Sequence, residues 1–130
     1  MYTAKVIEHF TNPRNVGQLP EANGAGTIGD PDCGDFVKIN ILVRADRIKD
    51  ISFEICGCPA SIATTSILTE MAAGKSLNDA VSITEEDVLD ALGGLPEEKV
   101  HCSNLGTAAL RLAIVDYLQR HKKKKVTSNS

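Results

Sequence analysis

The sequence predicts an α+β fold: a small antiparallel three-stranded sheet with helices packed on one face. Three observations predict it. Strict alternation of apolar and polar residues is concentrated in residues 36–56, where two runs are separated by a turn too short for a parallel crossover. Apolar residues at helical spacing dominate everything after residue 58. Strands early and helices late is the order of an α+β chain rather than of alternating βαβ units. A length of 130 residues suits a single domain over 1–130, and no internal repeat is evident. With aromatics at 4% and no Trp, the core is expected to be aliphatic.

In chain order, Thr3 to Phe10 reads as a short helix, with Val6, Ile7 and Phe10 at helical spacing and Asn12-Pro13 ending it. Asn12 to Gly17 reads as an ordered turn and Gln18 to Gly26 as a loop, with a third strand expected over Gly26 to Asp30. In Phe36 to Val43, Phe36, Lys38, Asn40 and Leu42 point one way and Val37, Ile39, Ile41 and Val43 the other. Ala45-Asp46-Arg47 turns the chain, and Ile48 to Cys56 repeats the alternation with Ile51, Phe53 and Ile55 inward and Ser52, Glu54 and Cys56 outward. Pro59 then stands at a first helical position, Ile62, Ala63, Ile67, Leu68 and Met71 form an apolar stripe, and Gly74 is a natural stop. Ser76 with Asp79, and Thr84 with Asp87, are capping-box-like starts of two short helices, the second ending at Gly93-Gly94. Leu105, Ala108, Ala109, Leu112, Val115 and Leu118 are expected to be the buried stripe of a long last helix. Residues 122–130 are expected to be a flexible basic and polar tail, with Lys122 to Lys125 a solvated helix end rather than a binding patch.

Composition excludes several functions. A net charge of −3 gives no basic surplus to neutralise phosphates, which argues against general nucleic-acid binding. No apolar run is long enough to span a membrane and no export signal is visible, so a reducing cytoplasm is the expected setting. The four cysteines then read as metal-binding or catalytic rather than as two disulfides.

Chemistry concentrates in three loops. Gly29-Asp30-Pro31-Asp32-Cys33-Gly34-Asp35 sets a thiol and a carboxylate two residues apart, Cys58 precedes Pro59, and His101-Cys102 is expected to open the last helix. Thiolate, imidazole and carboxylate are the groups that hold zinc and iron–sulfur centres. Cys33, Asp35, Cys58, His101 and Cys102 are therefore candidate metal and cluster ligands, one more than a tetrahedral centre takes, which suits a site whose occupant leaves. Cys58 and Cys102 are expected at helix N-termini, where the dipole favours thiolate. Cys56 falls inside a regular strand and is read as a non-ligand. His9 and His121, far from these loops in sequence, receive no role.

At these residues the chain resembles the IscU/NifU-type iron–sulfur cluster assembly scaffolds, over nearly its whole length. Lys5-Val6-Ile7-Glu8-His9-Phe10 followed by Asn12-Pro13-Arg14-Asn15-Val16-Gly17 is similar to the family's N-terminal signature. The segments 29–35, 57–66 and 99–103 are similar to its three ligand loops, with Pro59 where a glycine is common. The resemblance implies a SufE/IscU-like fold and a scaffold rather than an enzyme. It implies a [2Fe–2S] cluster on Cys33, Cys58 and Cys102, with Asp35 or His101 completing the set, Cys102 as sulfur acceptor and Lys99 assisting. It further implies Zn²⁺ in the isolated protein, a cysteine desulfurase as sulfur donor, apo iron–sulfur proteins as acceptors, an iron or electron donor protein, and a monomer or homodimer. Leu95-Pro96-Glu97-Glu98-Lys99 departs from the family's common Leu-Pro-Pro-Val-Lys, which argues against the specialised chaperone that reads it. A zinc hydrolase or deaminase is the competing enzyme reading, but the H-x-E and H-E-x-x-H signatures are missing. A closed structural zinc module that binds a partner is the other. Turnover on small substrates would favour the former, and a tightly held metal without cluster chemistry the latter.

Overall fold

The computed structural model describes residues 2–30, 32 and 34–129, with the backbone alone described for His101 and residues 122–129. Cys33, one of the expected ligands, lies outside the described residues, as does the side chain of His101.

The elements run α1 (Ala4–Thr11), β1 (Gly24–Gly29), β2 (Phe36–Arg44), β3 (Arg47–Cys56), α2 (Pro59–Ala72), α3 (Leu77–Val81), α4 (Glu85–Leu92), a 3₁₀ turn (Glu97–Cys102) and α5 (Ser103–Asn129). The strands form one antiparallel sheet in the order β1-β2-β3. Ala45 and Asp46, both at positive φ, make the two-residue turn between β2 and β3, whose twist matches that of the strands. Val37, Ile39, Ile41, Val43, Ile48, Ile51 and Phe53 pack with Leu68 of α2 and Leu110 and Ile114 of α5 into one aliphatic core. Residues 15–17 add to the far edge of β3, where the Phe53 N–H donates to the Asn15 carbonyl and the Gly17 N–H to that of Phe53. This blunts an edge that would otherwise be open to pairing.

Three local expectations change. The first strand starts at Gly24, two residues earlier than expected, because Gly24 and Gly26 let α5 lie against it. A Cβ on Gly26 would sit 2.4 Å from the Ala109 carbonyl oxygen. The buried face of α5 is only partly the predicted stripe, of which Ala109 is buried and Leu105 and Ala108 half-buried. Leu112, Val115 and Leu118 are 43%, 45% and 48% exposed, while Gly106, Thr107, Ala109, Leu110, Ala113 and Ile114 face inward. Close approach to β1 and α2 selects the face that carries the small residues Gly106, Ala109 and Ala113 alongside Leu110 and Ile114. Finally, α5 continues as backbone helix to Asn129, through the lysine run. The two short helices start as expected: Ser76 and Thr84 accept from the N–H groups of Asp79 and Asp87, and Thr84–Asp87 is a full capping box.

Helix α2 is buried on almost every side and carries Ser61, Thr64, Thr65, Ser66 and Thr69 inside. Their hydroxyls bond back to carbonyls one turn earlier or reach neighbouring elements, so polar residues are tolerated in the core. Among the described residues no helix is long and apolar enough to cross a membrane.

Candidate metal and sulfur site

Three junctions converge at one end of the sheet. The turn between β1 and β2 carries Asp35, the β3–α2 junction carries Cys58, and the passage from the 3₁₀ turn into α5 carries Lys99 and Cys102. Together with Ile28, Phe36, Cys56, Ser61 and Leu105 they line a cleft of ≈ 260 Å³. Gly29 closes the first of these loops at φ +92, with its Cα beside the Asp35 carbonyl, a place no side chain could share.

The Sγ atoms of Cys58 and Cys102 stand 3.6 Å apart. That is well beyond a disulfide bond. It matches the ≈ 3.8 Å edge expected when two thiolates bind one tetrahedral metal at about 2.3 Å each. The pair therefore sits at ligating separation with no rearrangement. Asp35 lies exposed at the wall of the same cleft. Among the described residues no three His, Cys, Asp or Glu side chains meet closely enough to hold a metal ion. Completing the set requires Cys33 or His101, which fall outside what is described, or movement of Asp35.

The two thiols are unlike. Cys58 is the N-cap of α2. Burial pushes its pKa up, but the N–H and hydroxyl of Ser61, the Cys102 thiol and the Ala60 N–H outweigh burial, and the net direction is down. Ser61 in turn donates its hydroxyl to the Cys58 carbonyl, 2.8 Å away. Gly57 preserves this cap, since a Cβ there would fall 2.4 Å from the Ser61 hydroxyl. Cys102 is only 4% exposed. Burial first, then its hydrogen bond to Cys58 and repulsion by that thiolate, push its pKa up to about 11, against a smaller opposing pull from Lys99. Burial thus works against the thiolate that a helix start was expected to favour at Cys102. The residue ends the 3₁₀ turn instead of capping a free helix N-terminus, and it is buried beside a better acid. The surroundings thus favour the thiolate at Cys58 and disfavour it at Cys102.

The N-terminal segment holds a residue that sequence reasoning passed over. His9 is 4% exposed and its Nδ1 lies 2.8 Å from the Ser66 hydroxyl, which also accepts from the Arg14 N–H. Its Nε2 lies 3.4 Å from Glu70. The cluster ties α1 and the 12–17 turn to α2. The only signal in the sequence was the histidine's place on the apolar side of a short helix.

Comparison with known proteins gives the chain its family. Residues 1–124 match the family described as NifU-like N terminal domain. An iron-sulfur cluster assembly scaffold protein IscU 1 of Archaeoglobus fulgidus is 54% identical over 123 residues, 95% of this chain and 80% of the relative. The protein of the same description, IscU, in Aquifex aeolicus is 48% identical over 121 residues, 92% of this chain and 77% of the relative. A crystal structure described as a putative iron-sulfur cluster assembly scaffold protein for the SUF system, from Fervidobacterium islandicum, superimposes with a TM-score of 0.69 at 23% identity, covering 87% of this chain and 96% of that one, and so speaks for the fold alone. On the match across 124 residues and these identities, the chain belongs to the NifU-like N-terminal domain family.

Proposed function

We propose that this chain is a scaffold, not an enzyme, on which an iron–sulfur cluster is assembled and from which it is handed to acceptor proteins. The observation that carries the reading is the Cys58–Cys102 pair at metal-ligating separation in an open cleft, in a chain whose relatives bear the name of cluster assembly scaffolds. Iron and sulfur are here the material being built upon, and the cluster is the product. The cluster is of the [2Fe–2S] type, held by Cys33, Cys58 and Cys102, with Asp35 or His101 as the fourth ligand. A carboxylate or imidazole among thiolates is the weaker partner, which suits a product that must leave. The donor chemistry of the cleft equally suits Zn²⁺ in the isolated protein.

Sulfur arrives as the sulfane sulfur of a cysteine desulfurase persulfide. Converting it to sulfide takes two electrons, which an electron donor protein supplies, and an iron donor supplies the metal. Lys99 contributes positive charge beside Cys102, a reading supported by its place in the same cleft and its lowering pull on that thiol. Apo iron–sulfur proteins take the product. The cytoplasm, where thiols stay reduced, is the setting. Residues 1–130 act as one domain, as a monomer or homodimer. Glu97 and Glu98, in the 3₁₀ turn ahead of Lys99, disfavour a chaperone that reads an apolar segment there.

Anaerobic reconstitution with iron, cysteine and a desulfurase, followed by visible absorption, tests the reading. Wild type is expected to develop cluster absorbance and Cys58→Ser to lose most of it. A normal yield from Cys58→Ser would overturn the ligand assignment, and no cluster in wild type would overturn the function.

A further inference from the structure

Cys56 is not explained by packing. It ends β3, opposite Phe36, with its side chain exposed, where a thiol buries little surface and risks oxidation. Yet it lines the same cleft as Cys58 and Cys102. Among the described thiols exposure falls in order along the cleft: Cys56 is exposed, Cys58 half-buried and Cys102 only 4% exposed. A persulfide carried on another protein must reach its acceptor by direct attack. Among the described thiols such a donor meets Cys56 first, and Cys102 is buried away from it.

We infer that Cys56 is a relay thiol, which takes sulfane sulfur from a protein-bound persulfide at the rim of the cleft and passes it inward to Cys58. The inference rests on the scaffold reading and deepens it. In the first step the Cys56 thiolate attacks the outer sulfur of the donor persulfide. A bond forms between Cys56 Sγ and that sulfur, the donor's S–S bond breaks, and the donor cysteine leaves as a thiolate. In the second step the Cys58 thiolate attacks the outer sulfur of the Cys56 persulfide, and Cys56 leaves as a thiolate ready for another round. Each step exchanges one S–S bond for another with no net oxidation or reduction. Only Gly57 separates the two cysteines, so their Cα atoms are at most about 7 Å apart. Disulfides span Cα–Cα separations of about 4.4–6.8 Å, and one extra sulfur lengthens that reach by roughly 2 Å.

The test compares two sulfur sources on full-length protein: a cysteine desulfurase loaded with ³⁵S-persulfide, and free sodium sulfide with iron. Cys56→Ser is expected to slow ³⁵S uptake from the desulfurase about tenfold or more, on the scale of losing a positioned reacting group. Its rate of cluster formation from sulfide should match wild type. Peptide mass spectrometry on Cys58→Ser should find the persulfide stalled on Cys56. Equal ³⁵S uptake by wild type and Cys56→Ser overturns the relay, and so does equal slowing with both sources, which would mark a structural role. Failure of wild type to take up sulfur or build a cluster from either source defeats instead the scaffold reading beneath it.

Discussion

At the scale of single residues, His9 shows how burial sets a charge state. Desolvation lowers its pKa from 6.5, and the facing Glu70 and Glu8 pull the other way without prevailing, while Arg14 and Lys5 reinforce the fall. Burial thus favours the neutral imidazole inside the fold, where Nδ1 lies 2.8 Å from the Ser66 hydroxyl. Above pH 6.5 it is neutral in both folded and unfolded chains and does not affect the balance. As pH falls below the unfolded value, the unfolded chain binds a proton that the folded one resists, so stability is lost through that window and down past the lowered folded pKa. Urea midpoints measured from pH 7.5 to 5 should therefore fall toward acid, and the fall should be smaller in His9→Asn. Parallel curves for the two proteins would show that His9 does not set the dependence. Cys58 and Cys102 make the same point at the site: neighbouring thiols are driven in opposite directions by their surroundings, one by first-turn donors of a helix and the other by burial.

At the scale of elements, α5 is placed by what is missing from β1. Gly24 and Gly26 present bare backbone, and the helix settles close enough that an added Cβ on Gly26 would also lie 2.5 Å from the Ala113 nitrogen and 2.7 Å from the Leu112 Cβ. Backbone cannot yield as a flexible side chain can. Gly26→Val is expected to destabilise by about 3 kcal/mol, the upper end for overpacking a tight contact, and to lower Tm by roughly 10 °C. Thermal unfolding by circular dichroism measures it, and a Tm within a degree of wild type would refute the close approach. The same geometry leaves Leu112, Val115 and Leu118 on the outer face of the helix. A helical apolar period says that a helix has a face, but not which of two apolar faces the neighbouring backbones can approach.

At the scale of the whole molecule, the site exists only when three junctions distant in the chain are held together, with Cys58 and Cys102 separated by 44 residues. On the proposed ligand set, a metal there would tie the β1–β2 turn, the start of α2 and the start of α5 to one another and would be bound only by the folded chain. Zn²⁺ should raise Tm with increasing concentration, contributing about 2.7 kcal/mol at one hundred times its dissociation constant. Cys58→Ser should abolish most of that shift. A Tm indifferent to Zn²⁺ in wild type would mean that the thiol pair does not bind the metal.

The alternation of residues 36–56, the capping residues Ser76 and Thr84 and the loop chemistry at Asp35, Cys58 and Cys102 are local signals, each settled by neighbours in the chain. From them the sequence by itself determined the class of fold, the order of its strands and main helices, and that Asp35, Cys58 and Cys102 line one cleft. Only the tertiary structure decided which face of α5 is buried, that His9 is a structural link, that their surroundings push Cys58 and Cys102 in opposite directions, and that Cys56 opens on the same cleft. Each of these depends on the distance between backbones or on burial by segments remote in sequence, and periodicity and spacing carry neither quantity.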